Sequence, residues 1–214
     1  MTSPLAKEVQ SLKEGVEKHL SLHGAGLAQS VADRAHLLLV WLQYARSKSK
    51  CKEAERLLDA VQGAIIEVSG ALAMGLVRSA IFSLRTQLEL FFAWIYFNDH
   101  GIEWARVCGD VSQFPMRAFF WKYFSDYGNK FPARLKLLEK SKTRKSDDLY
   151  GVLSIHVHST SMLVAPSVGP LSDLVYSEPL CSECVKLQTE VAEYLSDVMM
   201  AWFSNDWHDL PNEI

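Results

Sequence analysis

Arg78, Arg85, Glu89 and Tyr96 stand in a stretch, Ala71 to Phe97, that is otherwise strongly apolar. At about 100° per residue these four fall within roughly 20° of a common direction, while Leu76, Ile81, Leu84, Leu88, Phe91, Phe92, Trp94 and Ile95 fill most of the remaining circumference. A desolvated arginine or glutamate without a partner is strongly destabilising, so the stripe must either be closed by other polar groups or line a cleft. Arg85 and Glu89 are also spaced to neutralise each other as an i,i+4 pair.

A second polar group follows in Tyr150-Gly-Val-Leu-Ser154-Ile-His156-Val-His158-Ser-Thr-Ser161. In a helix, Tyr150, Ser154, His158 and Ser161 share one face and His156 points away from it. In a strand, His156 and His158 would instead share a face as a metal-binding pair. His158 therefore has three readings: a buried histidine bonded to Glu89 or a backbone carbonyl, a general acid or base in a cleft shared with Arg85, or a metal ligand. A histidine that titrates near neutrality beside an arginine suits metal-independent RNA cleavage through the 2′-hydroxyl, with the guanidinium stabilising the phosphorane-like charge. Tyr96 and Tyr150 read as core aromatics with satisfied hydroxyls or as acids.

The elements that must position these residues read as helices. Ser3-Pro4 is an N-cap followed by proline at the first helical position, and Leu5, Val9, Leu12, Val16 and Leu20 keep helical spacing to a break at Gly24-Ala25-Gly26. A second helix spans about Leu27 to Ala45. A third starts near Cys51 and runs towards Gly70, where either Gly70 or Gly75 can separate it from the polar-striped helix. Short aromatic-rich pieces follow at Glu103 to Cys108, Pro115 to Tyr127 and Pro132 to Lys140. Ser146-Asp147-Asp148 caps a helix through Tyr150 to about Met162. A proline-rich loop, 165–179, precedes a last helix from Cys181 to Phe203. With no pair of strands and no repeat, the expected fold class is all-α, a helical bundle of about seven to nine helices. It forms a single domain over 1–204, with a core of 27–100 and 146–204, a cap of 101–145, and an acidic flexible tail over 205–214.

Composition supports a globular protein: 49% of the 214 residues are hydrophobic. The net charge of −3 hides an asymmetry, since Lys130 to Lys145 holds seven basic residues and one acid, and Leu171 to Ile214 nine acids and one base. Lys136, Lys140, Lys142, Arg144 and Lys145 in the basic run are candidate RNA-phosphate contacts, or simply a solvated face. The opening residues lack the basic and apolar regions of a signal peptide, and charges within Ala71 to Phe97 oppose insertion, so a cytoplasmic protein without a membrane span is expected. Cys51, Cys108, Cys181 and Cys184 read as reduced thiols; Cys181-Ser-Glu-Cys184 has no second CxxC to complete a zinc site. The tryptophans Trp94, Trp104, Trp121, Trp202 and Trp207 could stack bases, although packing is their commoner use. No phosphate-binding glycine loop, HExxH, GxSxG or kinase signature is present, and no cofactor is expected.

Ser83-Leu-Arg85-Thr-Gln-Leu-Glu89, followed by Trp94-Ile-Tyr96-Phe97 and later by Tyr150-xx-Leu-Ser154-xxx-His158-Ser159, resembles HEPN-like helical proteins of bacteria and archaea. The resemblance covers about Ala71 to Ser161. It implies a protein of a defence or toxin–antitoxin system, with RNA as the ligand and a homodimer or a partner protein encoded nearby. The catalytic members are metal-independent ribonucleases in which Arg and His project into a composite cleft. Carried onto this chain, His158 matches the motif's histidine and Arg85 the cation; with Glu89, Tyr150 and Ser154 from the two polar faces they make up the expected catalytic site. The usual RxxxxH arrangement is absent, so Arg85 would supply its charge from a different helix than His158. Other members without that motif are RNA-binding subunits or scaffolds, and a non-catalytic interaction subunit is the alternative.

Overall fold

The structure, a computed structural model, describes residues 3–146, 148–157 and 169–210. It is all-α, with no strand among the described residues. Helix α1 (Pro4–His19) starts as its sequence requires, with Pro4 in the first turn, although the Ser3 side chain makes no capping bond. The expected break at Gly24 to Gly26 does not occur: a π-helical turn, Leu20–Gly24, leads straight into α2 (Ala25–Ser47). Glycine costs only about 1 kcal/mol in a helix. Here Gly24 also suits its surroundings, since a Cβ on it would stand 3.4 Å from the Ala73 carbonyl oxygen.

A 3-10 turn, Lys52–Ala54, precedes α3 (Glu55–Ala73), and α4 (Val77–Phe97) follows after a break at Gly75. Gly75 has φ +79°, and a Cβ there would lie 2.7 Å from Val175 Cγ1. Its carbonyl accepts the Tyr176 backbone N–H at 2.9 Å. A left-handed conformation pressed against a neighbour is a site for glycine alone. Gly70, by contrast, lies within α3.

The aromatic-rich segment forms α5 (Gly101–Gly109), α6 (Arg117–Tyr127) and α7 (Phe131–Leu138). Helix α8 (Leu149–Val157) opens on Asp148, whose Oδ1 accepts the Gly151 N–H at 3.1 Å, a cap two residues later than Ser146. Residues 149–157 are helical, which removes the strand reading of His156; His158 lies outside the described residues. Helix α9 (Glu178–Trp202) ends the core, and Ser204–Asp209 forms a 3-10 turn within the segment expected to be a flexible tail.

The residues divide into two compact units. One gathers the chain up to Ala35, Ala64–Arg85 and Asp148–Thr189. Its core is built from Val31, Val68, Leu72, Leu84, Leu149 and Leu153, each fully buried, and Arg34 Nη1 donates to Thr189 Oγ1 at 2.9 Å. The other gathers His36–Gly63, Thr86–Asp147 and the chain from Glu190. It is dominated by aromatics: Trp41, Phe91, Phe92, Trp94, Phe97 and Phe124 are fully buried, and Trp41 Nε1 donates to Ser196 Oγ at 2.8 Å. Burial of each such side chain contributes about 1.5–3 kcal/mol. Residues 101–145, expected as a cap, belong wholly to this second unit. No described helix is long and apolar enough to cross a membrane.

Candidate functional site

In the first unit the polar stripe of α4 meets α8. Arg85 Nη2 donates to the Tyr150 hydroxyl at 2.7 Å, and the guanidinium carbon lies 4.8 Å from the centroid of the Tyr150 ring. A hydrogen bond from a charged donor is worth about 1.5–3 kcal/mol and a cation–π contact about 0.5–2 kcal/mol, so the pair holds the cation in one orientation. Both residues are half-buried, which leaves the site within reach of solvent. Two residues before Arg85, Ser83 Oγ donates to Glu67 Oε2 of α3 at 2.9 Å. Arg78 is half-buried on the same helix.

One turn after Tyr150 on α8, Ser154 presents a buried hydroxyl with no hydrogen-bond partner among the described residues. A buried polar atom in that state costs about 1–3 kcal/mol, so it marks a position where a further group belongs. His156 Nδ1 is likewise buried and unpartnered among the described residues, and burial lowers its pKa, so the ring is held neutral. His158, Ser159 and Ser161 lie outside the described residues. Glu89 is half-buried and falls in the second unit. Among the expected site residues, then, Arg85 and Tyr150 are brought into contact and Ser154 lies on the same helix as Tyr150.

The basic run divides. Lys136, Lys140 and Lys145 are exposed and Lys142 is half-buried. Arg144 is 4% exposed, pairs with Asp197, and lies over the Tyr194 ring at 5.3 Å. That burial withdraws it from any surface strip. The cue was Asp197, an acid placed among Val191, Leu195, Val198 and Met199 on α9, which needs a buried cation. Cys181 and Cys184 are buried free thiols, raised to about 11 and about 12 by burial, with the Glu178 charge adding to the first and Cys181 to the second. Cys181 Sγ lies 3.8 Å from His19 Nε2. Among the described residues no group of three or more His, Cys, Asp or Glu is placed to hold a metal ion.

Two clefts of the second unit escaped the sequence reading. One, of about 770 Å³, is lined by Lys50, Cys51, Arg56, Trp104 and Cys108 among others, residues too far apart in sequence to signal it. The other, of about 520 Å³, is walled by Tyr96, His100, Phe119, Tyr123 and Tyr127, with Lys122 and Asp126 on it. The i,i+4,i+8 spacing of Phe119, Tyr123 and Tyr127 was its legible signal. Set against protein-family models, curated proteins and solved structures, the chain matches none.

Proposed function

We propose that the protein is a HEPN-like protein of a prokaryotic defence or toxin-type system that acts on RNA, as a divergent metal-independent ribonuclease or as an RNA-binding effector subunit. The observation that carries this reading is the Arg85–Tyr150 contact, a half-buried cation oriented by an aromatic ring on the helix that also bears Ser154. An arginine so held is preorganised to bind a phosphodiester and to stabilise charge that develops on it. The buried Ser154 hydroxyl, which has no hydrogen-bond partner among the described residues, supports a polar ligand or side chain approaching the same helix. His158, four residues beyond Ser154 in sequence, supplies the group that moves the 2′-hydroxyl proton. The test is incubation of the purified protein with RNA in EDTA. Cleavage by wild type and its loss in both Arg85→Ala and His158→Ala supports the ribonuclease, whereas cleavage unchanged by either substitution defeats it.

A helical interaction or scaffold subunit is the second reading, favoured by one feature. Arg85 and Ser83 already have protein partners in Tyr150 and Glu67, as a structural polar stripe requires. On that reading Arg85→Ala lowers the thermal midpoint and leaves RNA affinity and cleavage untouched.

A further inference from the structure

We propose that the aromatic cleft of the second unit is a stacking site for an unpaired nucleobase of single-stranded RNA. The exposure of its rings needs explaining, because Phe119 is 47% and Tyr127 75% exposed, with Met116 beside them on the approach to α6 at 82%. Large apolar groups gathered at one surface mark a binding site more often than a bare face. Phe119, Tyr123 and Tyr127 are spaced i, i+4 and i+8 along α6, a platform about 12 Å long at 1.5 Å per residue.

The back of the cleft is closely packed. The Tyr96 ring meets those of Phe119 and Tyr123 edge to face, both at 5.0 Å. His100 stacks flat on Tyr96, at 4.1 Å and 9°, and its Nδ1 is 2.8 Å from the Tyr96 carbonyl oxygen. The walls therefore combine flat π-faces with polar edges, the requirements of a nucleobase.

Charge selects between a base and an organic cation, which aromatic walls also attract. Lys122 and Asp126, the charged residues lining the cleft, pair with each other. Asp99, which accepts from the Tyr123 hydroxyl at 3.4 Å, is paired with Lys50 at 2.7 Å. Asp99 and Asp126 are thus each paired with a lysine, while the Glu103 charge also acts on Tyr96. Along the chain that carries α6, residues 117–145 hold nine basic residues against two acids; Arg144 is buried with Asp197, and Lys130, Lys136, Lys140 and Lys145 are exposed. Aromatic rings on a basic surface fit a polyanion that carries flat bases, and an unpaired strand can offer those bases where a duplex cannot. The preference for RNA over DNA rests on the function proposed above; the stacking does not.

The test is the affinity of the full chain for the hexanucleotide r(A)6, with a duplex RNA, d(A)6 and choline as comparison ligands. Wild type is expected to prefer r(A)6. Phe119→Ala and Tyr127→Ala should each weaken it about 5- to 150-fold, and Tyr127→Phe, which keeps the ring, should leave it within about twofold. Tyr127 is exposed enough that its alanine variant should melt like wild type, which separates lost stacking from lost folding. Unchanged affinity in both alanine variants overturns the proposal, as does equal binding of duplex, or displacement of r(A)6 by choline. Tighter binding of d(A)6 would overturn the choice of RNA. The outcome is independent of the cleavage test, because that assay reads Arg85 and His158 and this one reads binding at α6.

Discussion

Removing the Arg144 side chain should destabilise the fold and spare RNA affinity, the reverse of what its place in a basic run suggests. Arg144 is 4% and Asp197 6% exposed, and the guanidinium also covers the Tyr194 ring. Arg144→Ala leaves Asp197 buried without its cation, a loss of about 3–5 kcal/mol. In a chain of this length each kcal/mol moves the midpoint about 2–4 °C, so a thermal melt should fall by about 6–20 °C. The deficit should depend on pH. Burial is the largest influence on the Asp197 carboxyl and raises it, while the bond and charge of Arg144 act the other way. Without Arg144 the carboxyl rises further and binds a proton more readily folded than unfolded. A folded pKa raised in this way makes stability fall as pH rises, so the deficit should be larger at pH 8 than at pH 5. Replacing both residues, as Arg144→Met with Asp197→Leu, should recover most of the midpoint, because a buried ion pair is seldom more stabilising than an apolar pair of its size. Melts at both pH values, with RNA affinity measured on the same samples, decide the matter. An Arg144→Ala protein that melts like wild type and has lost RNA affinity would make Arg144 an RNA contact and not a structural cation.

Burial lowers the pKa of His156, so its stabilising contribution is complete above the ordinary value near 6.5 and is lost as pH falls towards the folded value; His156→Gln should show a smaller drop in midpoint between pH 7.5 and 5.5 than wild type. A thiol reagent at pH 8 should modify Cys51 and Cys108 in the native protein, whereas Cys181 and Cys184, buried and held un-ionised up to about 11 and 12, should react only on unfolding. Gly75→Ala should cost more than about 1 kcal/mol in a denaturant melt, since the backbone is left-handed there and the new Cβ meets Val175.

The meeting of α4 with Tyr150 was legible because an apolar helix with a charged stripe must find polar partners, and the Tyr150–Ser154 face was a clear candidate. Helix count and type followed from periodicity in the same way. The break between α3 and α4 was not legible, because Gly70 and Gly75 look alike in sequence. Only the approach of Val175 and Tyr176, about a hundred residues away, distinguishes them. Gly24 illustrates the opposite case, a helix breaker by composition that stays helical because a π-turn fits against Ala73. The burial of Arg144 is not legible in the basic run, because a charge run reads as a surface and one buried member does not alter the run. The aromatic cleft combines a legible stripe on α6 with Tyr96 and His100 from elsewhere in the chain, and tertiary structure alone joins them.

The function proposed above requires the Arg85–Tyr150 face to contact RNA. Its most direct test is the dissociation constant of a single-stranded RNA, measured across a series of salt concentrations, for wild type and Arg85→Gln. Arg85→Gln should bind at least about tenfold more weakly, with a salt slope shallower by about one released counterion. Equal affinity and an equal slope in a variant that remains folded would contradict it.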